Sequence, residues 1–519
     1  MNEMKETVVS LFQQTLKMQR GQTALVYDGC EISYQTLYDK SIRLAGSLKN
    51  MGVKKGDRVA VLLKNSPEFI YAFYAILFVG GVVVPLEHYL RADEVKLLIN
   101  DSSVRCMVSS HDFFDVHQSL RMKVPSLVGI YLVEHEFSEV GKSLTITPEV
   151  VSEKEAAVIF YTLATSGRPK GAVLTHENIT SVVQGSRELF KITQKDRVVL
   201  MMPMHQAFMI NVCMVLPLSI GASILIVKSI VHSKHLFKEI ADAKATVLAS
   251  IPQFYQTMAL TKIPFYFNWV FPIRMAISTS GPVTPELVEK FQKKFKFPLF
   301  VAYGLSEASG VVCCNKLTNK RFDGSVGLPI PGLTISIRNE EGTTAEVGRE
   351  GEVWIKGAGV TGGYYNQAVD ATESIRDGWL QTGDLGMMDK AGYLTITGRR
   401  KEMLVVRGLH VYPAELEQVI RQSPGVDAAA VVGKPDDKRG EVPIAFVVAK
   451  PGVVLKEKEL VRHLKQMMAD YKQPREIRIV SRLPMDEAGK ILKVELRKIV
   501  ASEIGVKPPK SDTQVTSVD

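Results

Sequence analysis

The chain is 519 residues long, 46% hydrophobic and 23% charged, enough to bury a substantial core and to form two or more domains. Its five cysteines (Cys30, Cys106, Cys213, Cys313 and Cys314) are odd in number and lack C-x-x-C spacing, which argues against a disulfide framework or a zinc ribbon and favours a reducing cytoplasm. Net charge is +9, and from Arg399 onward 23 Lys/Arg face 17 Asp/Glu, an excess of 6 that suits either an anionic ligand or solvated helix faces. Neither an arginine-rich arm nor aromatic-basic interleaving points to nucleic acid. Met1-Asn-Glu-Met-Lys-Glu-Thr7 carries acidic residues and no apolar core of signal-peptide type.

In chain order, Arg58-Val-Ala-Val-Leu-Leu63 reads as a buried strand and Ser66 to Val79 as a helix. The uncharged run Phe69 to Leu86 is long enough to raise the question of a membrane span, but Gly80, Gly81 and Pro85 break it into a helix and a strand-like Val82-Val-Val84, so it reads as core. Further short apolar runs follow at Ala156 to Phe160, Ala222 to Val227 and Thr246 to Ser250, with a helix over Thr284 to Lys294. This alternation predicts β-α units around buried, mainly parallel sheets.

Beyond Phe322 the texture becomes glycine-rich and β-branched (Leu333 to Arg338, Gly351 to Lys356, Tyr393 to Thr397), the pattern of an antiparallel subdomain. A second alternating pattern predicts a small α+β domain, with helices near Pro413 to Gln422 and Lys456 to Ala469 and strands near Val426 to Val432 and Ile444 to Val448. The boundary is expected at Gly398-Arg-Arg-Lys401, where the β texture ends and polar residues cluster. The predicted fold class is therefore α/β. Residues 1–398 form a large domain of two β-α sheets plus a β subdomain, residues 399–506 a small α+β domain, and residues 507–519 a disordered tail.

Tyr161-Thr-Leu-Ala-Thr-Ser-Gly-Arg-Pro-Lys-Gly-Ala172 carries chemistry. Its backbone N–H groups can converge on an anion, Thr162, Thr165 and Ser166 add hydroxyl donors, Gly167 allows a close turn, and Arg168 and Lys170 supply charge. A solvated turn between two strands is the plainer alternative. The loop is not of Walker type, since G-x-x-x-x-G-K-[ST] does not occur. Four further motifs follow: Tyr303-Gly-Leu-Ser-Glu307, Thr382-Gly-Asp384, Gly398-Arg-Arg-Lys401 and Gly489-Lys490.

In this order, the five motifs resemble the adenylate-forming superfamily of acyl-CoA synthetases, firefly luciferases and peptide-synthetase adenylation domains, and most of all a bacterial fatty acyl-CoA synthetase. The resemblance runs from about Ile32 to about Leu496. It implies an ATP-dependent carboxylic acid–CoA ligase using ATP, Mg²⁺ and coenzyme A. The loop would embrace the β- and γ-phosphates, with Gly281 and Gly304 in the nucleotide site and Tyr303 beside the adenine. Ser306 would approach the α-phosphate, Glu307 would ligate Mg²⁺, and Asp384 and Arg399 would hold the ribose. Lys490 would stabilise developing charge during adenylation. Lys401 would be a hinge about which the small, mobile domain swivels, and Gly408 would admit the pantetheine arm for the second half-reaction.

His205, Gln206, Phe208 and Met209 are the candidate acyl-pocket residues, and with Val212 they suggest an aliphatic or aryl acid. A medium- or long-chain fatty acid is the first choice. The chain departs from the family pattern at Leu163 and Ala164, where the loop usually has Ser and Gly, and at His205-Gln206, where an aromatic and a His are usual. Three rivals compete. A serine hydrolase rests on the near miss Gly304-Leu-Ser-Glu-Ala308 for G-x-S-x-G. A metal hydrolase rests on His232 and His235, which lack the H-E-x-x-H frame. A degenerate nucleotide-binding homologue is the non-enzymatic reading. The acceptor can be coenzyme A or the phosphopantetheine of an acyl carrier protein, no transmembrane segment is expected, and monomer and homodimer both stay open.

Overall fold

The computed structural model describes residues 6–90, 92–121, 124, 126–136, 146–163, 169–228, 233–263, 271–281, 283–315, 324–366, 374–402, 404–406, 409–411, 413–436, 440–468, 472–486 and 489–503. They gather into two units. The larger comprises the described residues up to Ser336 with Trp354–Thr382 and Ala391–Leu394; the smaller comprises Ile337–Val353, Gly383–Lys390 and the described residues from Thr395 onward.

The larger unit holds two sheets built from short Val- and Ile-rich segments. One has six strands in the order Gly129–Leu132, Cys106–Ser109, Arg58–Leu62, Val82–Pro85, Ala156–Leu163, Pro169–Thr175, all parallel except the last pair. The other has nine, with a parallel centre of Leu299–Tyr303, Met275–Ser278, Val247–Ser250, Arg197–Leu200, Ser223–Ile226 and Thr23–Tyr27. Strands such as Val82–Pro85, Val247–Ser250 and Met275–Ser278 are buried throughout, as the near-continuous apolar runs require of a parallel sheet covered on both faces. Helix Pro67–Phe78 opens on a proline, whose fixed φ suits a first turn, and buries every residue but Glu68. The run Phe69 to Leu86 is thus a core helix followed by the strand Val82–Pro85. None of the described helices is long and apolar enough to cross a membrane.

A five-stranded sheet runs Leu333–Arg338, Gly351–Gly357, Trp379–Met388, Ile375–Arg376, with Leu394–Arg399 paired to Trp379–Met388; the division between the units falls within its strands. In the smaller unit, strands Val426–Asp436 and Gly440–Ala449 form a long antiparallel pair joined by Leu404–Val406, Leu409–Val411 and Glu476–Val480. Period-two alternation sends Val431 and Val447 to one face, against helices Pro413–Gln422 and Glu457–Met467, and Val432 and Phe446 to the other, against Leu483, Leu496 and Val500. The α/β class, with a larger N-terminal and a smaller C-terminal part, agrees with the sequence reading.

Two details differ. The antiparallel ladder of Ala156–Leu163 with Pro169–Thr175 reaches Leu163↔Pro169, so Thr162 and Lys170 are strand residues rather than loop residues. The β-branched and aromatic side chains from Val158 to Thr162 favour this extension. An unanticipated π-helical turn, Asn211–Val215, lies between the short helices Ala207–Ile210 and Leu216–Ile220. The tail 507–519 lies outside the described residues.

Candidate active site

In the larger unit, the candidate residues collect at the carboxyl ends of parallel strands, where open α/β sheets hold their ligands. Ala156–Leu163 leads to Thr162, Leu299–Tyr303 to Gly304, Ser306 and Glu307, Met275–Ser278 to Gly281, and Arg197–Leu200 to His205. Glu307 sits in a 3-10 turn, Ser306–Ala308, and its Oε1 accepts from the Thr162 hydroxyl at 3.3 Å and the Tyr364 hydroxyl at 3.3 Å. The ammonium of Lys170 lies 5.3 Å from the centre of the Tyr364 ring. The Glu307 carbonyl accepts from the Thr361 N–H at 2.8 Å, which fixes the turn against the segment carrying Tyr364. Three sequence candidates, Thr162, Lys170 and Glu307, therefore meet around Tyr364, which sequence reasoning missed. Its signal was faint: Gly362-Gly-Tyr-Tyr365 resembles any glycine-rich turn.

The turn itself is tightly specified. A Cβ on Gly304 would run into the Gly310 carbonyl, so the strand end and the residues after the 3-10 turn approach closely only because position 304 is glycine. Ser309 and Ser280 adopt left-handed backbone (φ 57° and 66°), strain of the kind that collects at functional sites. Ser309 is held by its hydroxyl to the Gly359 carbonyl at 2.8 Å and by the Asn211 amide to its own carbonyl at 3.0 Å. Tyr303, Gly304, Ser306 and Gly281 are half-buried.

Phe208 and Met209 are buried in helix Ala207–Ile210, with Gln206 at its N-cap. Met204 N–H and the Met202 carbonyl are pinned by the Asn65 side chain at 3.0 Å each, which sets the segment leading to His205. The His205 ring lies edge-on to His88 at 6.4 Å, and its buried Nδ1 has no hydrogen-bond partner among the described residues. Burial, reinforced by His88, pulls the His205 pKa down to about 3, so the ring is neutral at physiological pH. His235 is exposed on helix Ser233–Asp242; His232 is outside the described residues.

Within the smaller unit, Asp384 and Arg399 stand on paired strands, and Arg399 Nε meets Asp384 Oδ1 at 2.9 Å. Asp384 is 6% exposed, whereas Arg399 keeps most of its side chain in solvent. Lys490 rides on a tight hairpin. Asp486 N–H donates to the Lys490 carbonyl (2.8 Å), Lys490 N–H to Asp486 Oδ1 (2.8 Å), Gly489 N–H to the Asp486 carbonyl (2.9 Å), and Met485 bridges Ile491. Gly489 supplies the left-handed φ of +77° that this turn needs. Lys490 remains exposed, yet the surrounding protein and the Arg399 charge lower its pKa despite Asp486, Glu402 and Asp384. Lys401 lies in the 3-10 turn Arg400–Glu402. Thr165, Ser166 and Gly167, with Ala164 and Arg168, and Gly408 in its own segment, fall outside the described residues.

Comparison with known proteins shows the family. The model of the AMP-binding enzyme family matches residues 12–365, and that of the AMP-binding enzyme C-terminal domain matches residues 415–490. The 2-succinylbenzoate–CoA ligase of Bacillus cereus (strain Q1) is 30% identical over 501 residues, spanning 95% of this chain and 99% of that protein. The long-chain-fatty-acid–CoA ligase of Bacillus subtilis (strain 168) is 29% identical over 91% of each chain. The crystal structure of ATP-bound MatB from Rhodopseudomonas palustris matches with a TM-score of 0.89 at 27% identity, covering 97% of this chain and 100% of that one.

Proposed function

We infer the activity of this chain from one premise: it belongs to the family of AMP-binding enzymes. The reaction is the ATP-dependent ligation of a carboxylic acid to coenzyme A through an acyl-adenylate. A carboxylate is a poor electrophile because oxide is its leaving group. Its oxygen attacks the α-phosphate of ATP, pyrophosphate departs, and the mixed anhydride that results loses AMP when a thiol attacks its carbonyl carbon. The chemistry needs cations at the α-phosphate and contacts that hold the nucleotide in register.

The observation that carries this reading is the meeting of Thr162, Lys170 and Tyr364 around Glu307 at the strand ends. In this reading Lys170 would reach the phosphates from its strand, together with Thr165, Ser166 and Gly167 of the preceding segment, while Gly281, Tyr303 and Gly304 would bound the nucleotide and Ser306 would face the α-phosphate. Asp384 and Arg399 hold the ribose hydroxyls, and Lys490 offsets charge on the carboxylate and α-phosphate oxygens. The hard oxygen set at Glu307 fits Mg²⁺. Glu307 would give the ion one protein carboxylate, its shell being completed by phosphates and water. Bound there, Mg²⁺ would supply neutralisation of the pyrophosphate leaving group. After adenylation the small domain would swivel at Lys401, and Gly408 is the residue proposed to admit the pantetheine arm.

The acid is apolar. Buried Phe208 and Met209 and the long-chain-fatty-acid–CoA ligase relative support a medium- or long-chain acyl group. A keto-aryl acid is the second reading, favoured by the 2-succinylbenzoate–CoA ligase relative and by the buried His205 Nδ1, which has no hydrogen-bond partner among the described residues. The test is pyrophosphate release from ATP and Mg²⁺ across acetate to palmitate, benzoates, 2-succinylbenzoate and amino acids, with and without coenzyme A. Acid-dependent release stimulated by coenzyme A is expected, and the best acid identifies the substrate class. Release stimulated only by a phosphopantetheinylated carrier protein would replace coenzyme A as acceptor. ATP binding without any release would mark a nucleotide-binding homologue without turnover.

A further inference from the structure

Lys493 is the first residue of helix Lys493–Glu503, the end of a helix where a cation is disfavoured by the macrodipole. It is nevertheless nearly buried, with its side chain 13% exposed, and its ammonium meets two carboxylates, Glu402 Oε2 at 2.7 Å and Glu417 Oε1 at 2.8 Å. Glu417 lies on helix Pro413–Gln422 and also accepts from the Val431 N–H at 2.7 Å, which ties it to strand Val426–Asp436 of the small unit's sheet. Glu402 closes the 3-10 turn Arg400–Glu402 and so follows Lys401 directly. The same Lys493 is three residues beyond Lys490, whose hairpin is closed by Leu492 N–H to the Pro484 carbonyl (2.8 Å) and seated by Leu483 and Ile491 on the sheet. One ammonium therefore joins the turn that bears Lys401, the hairpin that bears Lys490 and the core of the unit.

We propose that Lys493 is a positioning residue: through Glu402 and Glu417 it fixes the Lys490 hairpin to the turn at Lys401, so that movement at that turn carries Lys490 as part of a rigid body. The proposal rests on the adenylation role given to Lys490 above. Burial favours protonation of Glu417, whereas Lys493 and the neighbouring Arg399 and Arg497 hold Glu402 below the usual carboxylate range. The two acids are thus unequal. Glu417 is the structural anchor, and removing Lys493 would leave it as a buried carboxylate without its cation, a change expected to damage folding. Glu402 is the more accessible acid and can be neutralised with the Lys493–Glu417 pair left in place.

The test uses the full chain with Glu402→Gln, Lys490→Ala and the double variant. Acyl-adenylate formation is followed as pre-steady-state pyrophosphate release, and thioester formation is measured from ready-made acyl-adenylate. Glu402→Gln is expected to slow adenylation about tenfold or more, as small misplacements of a catalytic group do, while thioester formation stays within about twofold. The double variant is expected to be no slower than Lys490→Ala, because the two residues act as one unit. Equal slowing of both half-reactions by Glu402→Gln, or additive losses in the double variant, would overturn the positioning role. Wild-type adenylation in Lys490→Ala would instead overturn the premise about Lys490. Full adenylation in Glu402→Gln with Lys490→Ala crippled would overturn the Lys493 proposal alone.

Discussion

Tyr364 makes two different contacts with one side chain: its hydroxyl donates to Glu307, and its ring face receives Lys170. Tyr364→Phe removes the first and keeps the second. A hydrogen bond to a carboxylate contributes about 1.5–3 kcal/mol, so the variant should lose roughly tenfold or more in adenylation and need more Mg²⁺ for half-maximal pyrophosphate release, with melting temperature little changed. The same Mg²⁺ titration should give an unaltered midpoint if the hydroxyl does not orient Glu307. Manganese binding followed by electron paramagnetic resonance offers a readout independent of turnover. At His205, replacement by Phe removes the unpartnered Nδ1 but keeps an aromatic ring. If the acid carries a polar group that reaches this nitrogen, the KM for that acid should rise severalfold and the KM for ATP should stay put; equal KM values for polar and purely aliphatic acids would remove His205 from acid selection.

At the scale of elements, the site depends on where strands stop. Gly304 ends Leu299–Tyr303 and lies against Gly310, so Gly304→Ala must push apart two backbone segments rather than a flexible side chain. A loss of at least about 2 kcal/mol is expected, toward the large end for single substitutions, visible as a lowered denaturant midpoint. A wild-type midpoint would mean that the turn has room to move. The sequence made these elements legible where period and punctuation agreed. Arg58 to Leu63, Thr284 to Lys294 and Leu333 to Arg338 lie within a residue of the observed Arg58–Leu62, Pro285–Lys294 and Leu333–Arg338. Thr284, expected as the first helical residue, is instead the N-cap, its hydroxyl accepting from the Leu287 N–H. The hairpin arms around Thr162 and Lys170 were read as loop because Ser, Thr, Gly and Pro mask a strand's period. The Asn211–Val215 π turn left no local mark, since the contact that uses it, Asn211 to Ser309, joins residues far apart in sequence. Tyr364 and the Glu402–Lys493–Glu417 group were invisible for the same reason: pairing between residues far apart in sequence is a property of topology.

At the scale of the whole molecule, stability should fall with acid in a window set by buried histidines. His176, 2% exposed at the start of helix His176–Phe190, accepts from the Val8 N–H through Nδ1 at 3.4 Å and so links that helix to the N-terminal helix Val8–Gln19. Burial pulls its pKa down to about 4, against the partial opposition of Glu155. An unfolded chain takes up a proton at this residue near pH 6.5, whereas the folded chain resists until about pH 4, so the unfolded state binds more protons in between and stability rises with pH across that window. The contribution is complete above pH 6.5 and lost as pH falls toward 4, to the extent of about 3 kcal/mol. His205, lowered to about 3, adds in the same direction. Asn places an amide oxygen near the position of Nδ1 and does not titrate, so His176→Asn should keep the Val8 link and show a shallower decline. Melting temperatures at intervals from pH 7 to pH 4, read for both proteins in the presence and absence of ATP, separate the effects. ATP should stabilise both proteins by RT ln(1 + [ATP]/Kd) and so raise both melting curves, with the offset between wild type and variant confined to the acid side. Parallel curves for the two proteins at every pH would mean that His176 is not the group that takes up the proton on unfolding.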